Sequence, residues 1–132
     1  EAQSSASSPL LLAVTALTSL SEAEINAMGI AGSVEQWVDR LTAMAQNSGI
    51  PGIVASSKEL SLLRSRFGST LQFVIPGIRP AGAALQDQSR TATPGEAIRG
   101  GANYIVVGRP ILQANDLADA ADSIVEEIQK NL

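Results

Sequence analysis

Apolar positions follow two rhythms in this chain, and the rhythms take turns. Short, mostly apolar runs occur at residues 10–17 (LLLAVTAL), 52–55 (GIVA), 71–75 (LQFVI) and 104–107 (YIVV). Runs of that length and composition predict strands buried on both faces of a parallel sheet. Between them, apolar residues recur every three to four positions behind helix-start signals. Ser21 with Glu24 forms a capping pair ahead of Ile25 and Met28. Ser33 with Gln36 repeats it ahead of Val34, Trp37, Val38, Leu41 and Ala45, a helix ending near Gly49. Ser56 with Glu59 opens a helix whose apolar stripe is Leu60, Leu63 and Phe67, stopped by Gly68. Thr93-Pro94-Gly95-Glu96 starts a brief helix that ends at Gly100-Gly101. A last helix runs from about Asp116, with Leu117, Ala121, Ile124, Ile128 and Leu132 on one face.

Strand followed by helix, four times over, predicts an α/β fold with a parallel sheet and right-handed crossovers. Four such units are half of an eight-fold barrel, and they also suit a small open sheet. Periodicity does not separate the two. The small, polar residues 1–8 read as a tail or as the end of a preceding helix, with one domain over 9–132. The chain starts with Glu rather than Met, which suggests cutting or processing from something longer.

Composition narrows the chemistry. There is no cysteine and no histidine among the 132 residues, so disulfides, thiolates and imidazole bases are unavailable. A net charge of −4 argues against a nucleic-acid surface. The run from Pro9 to Leu17 is too short to span a bilayer, and residues 1–8 lack the basic start of a signal peptide, so a cytoplasmic location is expected.

Two strand ends carry unusual loops. After 71–75 comes Pro76-Gly77-Ile78-Arg79, and the aperiodic stretch to residue 92 holds Gln88 and Arg90. Loops that long in a compact domain usually bind or cover a ligand. After 104–107 comes Gly108-Arg109-Pro110. Glycine there lets a ligand approach a backbone amide, and arginine offers a planar fork to a dianion. In parallel barrels the loops after the last two strands commonly form a phosphate site. The bland reading makes both arginines surface ion-pair partners. Thr15, Thr18 and Ser19 cluster beyond the first strand, where spacing favours capping over ligand contact. Lys58, Arg64 and Arg66 read as solvated helix flank. Asp116, Asp119, Asp122, Glu126 and Glu127 read as the outer face of the last helix.

The segments LLAVTALTSL (11–20), PGIRP (76–80), DQ with a following R (87–90), TP (93–94) and VVGRPI (106–111) together resemble bacterial orotidine 5′-monophosphate decarboxylases, in order and in spacing. That resemblance implies the C-terminal (βα)4 half of a TIM-type (β/α)8 barrel, strands five to eight, from an enzyme that is usually a homodimer. It implies decarboxylation of orotidine monophosphate to uridine monophosphate in pyrimidine biosynthesis, without a cofactor or metal. By motif, Arg79 and Gln88 belong to the loop that closes on the phosphate, while Gly108 and Arg109 hold the phosphate from the last strand. Thr18 lies beside the pyrimidine, with Ser19 a weaker candidate.

The family's catalytic Lys-Asp array is carried mainly by a D-x-K-x-x-D motif on the third strand, and no such motif occurs here. Lys58 stands in a helical context and does not replace that lysine. The resemblance therefore implies an inactive fragment that requires the N-terminal half of the barrel as partner. The competing reading is a phosphate-binding half-barrel serving as an assembly or binding module. A related sugar-phosphate decarboxylase is a third, disfavoured by PGIRP with DQ.

Overall fold

A computed structural model describes residues 9–17, 20–80 and 91–132. The proposed tail at 1–8 lies outside them. Four strands, β1 (Leu12–Val14), β2 (Gly52–Val54), β3 (Gln72–Ile75) and β4 (Tyr104–Ile105), form one sheet in the order β1-β2-β3-β4. All three pairings are parallel, with Ala13 opposite Ile53, Ile53 opposite Phe73, and Ile75 opposite Ile105. The intervening helices are α1 (Glu22–Ala27), α2 (Val34–Asn47), α3 (Ser57–Phe67), α4 (Pro94–Arg99), α5 (Arg109–Leu112) and α6 (Leu117–Gln129). Sequence order equals spatial order, so each βα unit returns the chain beside the strand it left. No helix among the described residues is long and apolar enough to cross a membrane.

The helix starts follow their capping residues. Ser21, Ser33 and Thr93 each accept from the amide three residues on, and Glu24, Gln36 and Glu96 each reach back to the cap amide. Asp116 caps α6 by accepting from Ala118 and Asp119. Ser56 departs from the expected box. Its hydroxyl accepts from the Lys58 amide at 3.2 Å and donates to Glu59 Oε2 at 2.5 Å, and both Ser56 and Glu59 are buried.

The two faces of the sheet are not equivalent. Ala13, Ile53, Phe73, Ile75 and Ile105 point to the helices and join Ile25, Val38, Leu60, Leu63 and Ala97 in one core. The alternate positions point the other way, as period two requires. On that face Val74 is buried, but Leu12, Val14, Tyr104 and Val106 are 42, 60, 54 and 51% exposed. Among the described residues one face of the sheet is thus covered, while the other is largely apolar and exposed at β1 and β4.

This corrects the reading of residues 10–17 as a buried strand. Only Leu12–Val14 pairs, and Leu10, Leu11, Leu12, Val14 and Leu17 are all exposed. A continuous aliphatic run implies cover on both faces, and among the described residues β1 lacks it on one face and along its outer edge. β4 is likewise shorter than its four-residue run, and α5 follows where a loop was expected. The flank reading of α3 also fails for Arg64, while the Arg66 side chain stays 55% exposed. Arg66 pairs with Asp39 of α2, and Arg64 bridges several backbone carbonyls.

Candidate functional site

Parallel strands put all their C-terminal tips on one side, and both candidate loops leave from there. Beyond β3, Gly77 takes a φ of 77°, a left-handed turn that glycine enters without steric cost. The turn re-aims the chain so that Ile78 forms an isolated parallel bridge with Ala92. The Arg79 amide donates to the Ala92 carbonyl at 2.9 Å, tying together the two ends of the long loop. Ile78 is fully buried and Arg79 only 8% exposed, with Arg79 Nη1 donating to the Ile78 carbonyl at 2.9 Å. The reading of Arg79 as a surface ion-pair partner does not survive that burial.

Beyond β4, the Val106 amide still donates to Ile75 at 2.9 Å. Gly108 then serves as N-cap of α5, with no side chain capping it. A Cβ added at Gly108 would meet nothing within 4 Å, so the space beside this backbone is open. Arg109 and Pro110 form the first turn of α5, and the Ile111 and Leu112 amides return to the Gly108 carbonyl at 3.0 Å. Gly108 and Arg109 are both half-buried.

Register relates the two arms. Ile75 and Ile105 are partners, and Arg79 and Arg109 each fall four residues past them. Both arginines therefore leave neighbouring strands at the same tip of the sheet. Gln88, Thr18 and Ser19 lie outside the described residues. Thr15, just before the last two, donates its hydroxyl to the Val54 carbonyl at 2.8 Å, which leaves it a strand-to-strand contact.

A separate recess of about 480 Å³ lies between the α1–α2 connection and the first turns of α2, lined by Ala31, Gly32, Gln36, Asp39 and Arg40. None of its residues belongs to either strand-tip loop. Sequence reasoning missed two features of the tip, the Ile78–Ala92 bridge and the buried Ser56–Glu59 pair that follows β2. The first has no local signal. The second was visible as a Ser-x-x-Glu pair, but burial decides what such a pair does.

Comparison with known proteins covers nearly the whole chain. The profile of the family described as orotidine 5′-phosphate decarboxylase / HUMPS matches residues 1–124. The chain is 50% identical over 121 residues to the orotidine 5′-phosphate decarboxylase of Hahella chejuensis, covering 92% of this chain and 52% of that one. Against the enzyme of the same name from Geobacter sulfurreducens it is 49% identical over 118 residues, 89% and 49% of the two chains. A solved structure of orotidine 5′-phosphate decarboxylase from Lactobacillus acidophilus aligns with a TM-score of 0.78 at 36% identity, covering 92% of this chain and 50% of the other. The chain spans about half the length of the curated relatives it matches.

Proposed function

This chain belongs to the orotidine 5′-phosphate decarboxylase / HUMPS family, and on that premise we propose that it is the substrate-phosphate-binding half of an orotidine 5′-phosphate decarboxylase. Its four βα units are one half of a TIM-type (β/α)8 barrel; we assign them as strands five to eight of the family fold. The observation that carries the reading is the shared tip of β3 and β4, from which Arg79 and Arg109 each follow four residues past the partners Ile75 and Ile105, and where the backbone of Gly108 is open.

A phosphate dianion needs donors that are already in place, because ordering them on binding would cost part of the affinity. Gly108 offers an unobstructed main-chain approach, and Arg109 a planar fork next to it. Arg79 adds a second guanidinium from the adjoining strand, on a segment held at both ends of the loop by the Arg79–Ala92 hydrogen bond. Gln88 belongs to that loop and would close over the phosphate, while Thr18, with Ser19 as the weaker candidate, would contact the pyrimidine. The phosphate is remote from the reacting carbon, yet its binding energy holds the ring in place and closes the loop. Closure excludes water and strengthens charge interactions around the ring.

The reaction replaces the pyrimidine carboxylate by a proton, with loss of CO2. Its charged Lys-Asp array would come from the other half of the barrel, which therefore becomes the obligatory partner. The intact enzyme would be a cytoplasmic homodimer that uses no cofactor.

The test is reconstitution. Mixing this chain with a separately produced N-terminal half of a relative should yield decarboxylation of orotidine monophosphate, with none from either half alone. Arg109→Ala should then lower kcat/KM by about 1.5–3 kcal/mol, the range for a hydrogen bond to a charged group, which is roughly 10- to 150-fold. Unchanged kinetics for that variant would reject the phosphate role. If the mixture stays inactive while the chain alone still binds uridine 5′-monophosphate, the binding-module reading is favoured instead.

A further inference from the structure

The strand tips are set from their opposite end. At the foot of β3 and β4, Asn103 donates its amide to the Phe73 carbonyl at 2.9 Å and accepts the Phe73 amide on its side-chain Oδ1 at 2.8 Å. A side-chain carbonyl thus satisfies a β3 amide at the foot of the ladder, just before β4 begins. The same Oδ1 accepts from Arg64 Nη2 at 2.7 Å. Arg64 reaches from α3 and spends its whole fork on this corner. Nη2 also donates to the Gly101 carbonyl at 2.5 Å, and Nη1 donates to the carbonyls of Gly68 at 2.7 Å and Leu71 at 3.3 Å. Its guanidinium lies 4.6 Å over the centre of the Phe73 ring.

These contacts join four pieces of chain: the end of α3, the entry to β3, the turn after α4 and the entry to β4. β4 is only two residues long, so few ladder bonds of its own resist sliding along β3. A slip of one residue would turn Ile105 and Val107 off the core and present Tyr104 and Val106 to the helices. It would also lift Gly108 and Arg109 by about 3.3 Å relative to Arg79. A phosphate oxygen held at hydrogen-bond distance does not tolerate that displacement.

We infer that Asn103, locked by Arg64, is a positioning residue for the phosphate site: it fixes the register of β4 on β3 and thereby the height of Gly108 and Arg109 relative to Arg79. This rests on the proposed phosphate-binding reading, and the experiment separates the two. In the ¹⁵N-labelled chain, Asn103→Leu removes the acceptor at similar volume, whereas Asn103→Asp keeps an oxygen for both Phe73 and Arg64. The expected result is a shifted Gly108 amide resonance in Asn103→Leu and affinity for uridine 5′-monophosphate at least tenfold weaker. Asn103→Asp should restore both, the affinity to within twofold of the parent. A folded Asn103→Leu with the Gly108 resonance at its original position would overturn the inference. If the parent itself fails to bind uridine 5′-monophosphate, the phosphate reading falls and the Gly108 resonance alone decides the register. Should Asn103→Leu not fold, Arg64→Lys is read the same way, since it keeps the charge but cannot bridge Gly101 and Asn103 together.

Discussion

At the scale of single residues, a polar side chain finds its partner either within one helical turn, as Ser33 does, or far along the chain, as Arg64 does. Ser33 and Gln36 sit three apart and satisfy each other, so their role needs no fold to be seen. Arg64 sits on a helix flank, which by spacing alone reads as solvated. Its position, four beyond Leu60 and next to Leu63, puts it beside the buried stripe, and burial lowers its pKa by desolvation. What it touches, Gly101 and Asn103, lies 37 and 39 residues away, and no spacing rule reaches that far. Asp39 and Arg66 are separated in the same manner across two helices. A prediction at this scale concerns Gly101. Its φ of 98° is a conformation that side chains rarely adopt, and an added Cβ would come within 2.9 Å of Arg64 Nε. Gly101→Ala should therefore cost at least the roughly 1–2 kcal/mol of a left-handed non-glycine residue. Urea unfolding should show a lower midpoint with an unchanged slope.

Elements were more legible than their lengths. Every helix start announced by a polar cap is present, because a cap, its acceptor and the first turn are all encoded within four residues. Strand extents were overestimated for β1 and β4, since an aliphatic run reports apolarity and not the presence of a neighbour to pair with. α5 went unforeseen because four residues carry no period. The caps also carry a pH dependence. In α4, hydrogen bonds from the Thr93 amide and then from its hydroxyl hold the Glu96 carboxyl below its ordinary value of 4.5, and the Arg99 charge adds to this. A depressed carboxyl pKa stabilises the fold above the unfolded value and is lost as pH falls through the folded one. Glu24 in α1 behaves alike through Ser21. Thermal midpoints should accordingly drop as the medium is acidified below about 4.5, the unperturbed carboxyl value. Glu96→Gln keeps a neutral acceptor for Thr93 and should flatten part of that acid slope. An identical slope in the variant would show that the box contributes nothing to the acid response.

At the scale of the whole molecule, the alternation of strands and helices was enough to give a parallel sheet, and the motifs were enough to give the family. The candidate site divides along the same line. Arg79, Gly108 and Arg109 all follow the C-terminal ends of β3 and β4, because parallel strands leave no choice of end. Thr18, Ser19 and Gln88 lie outside the described residues. The second sheet face, with Leu12, Val14, Tyr104 and Val106 exposed and an unpaired edge on β1 and on β4 among the described residues, has a kinetic meaning. A barrel closed by two separate polypeptides is held by association rather than by a peptide link, so its turnover is a bimolecular property. Specific activity of the reconstituted pair should fall on dilution below its dissociation constant, and it should recover when either half is supplied in excess. A one-chain relative, whose seam is covalent, would keep a constant turnover per molecule across the same dilution series.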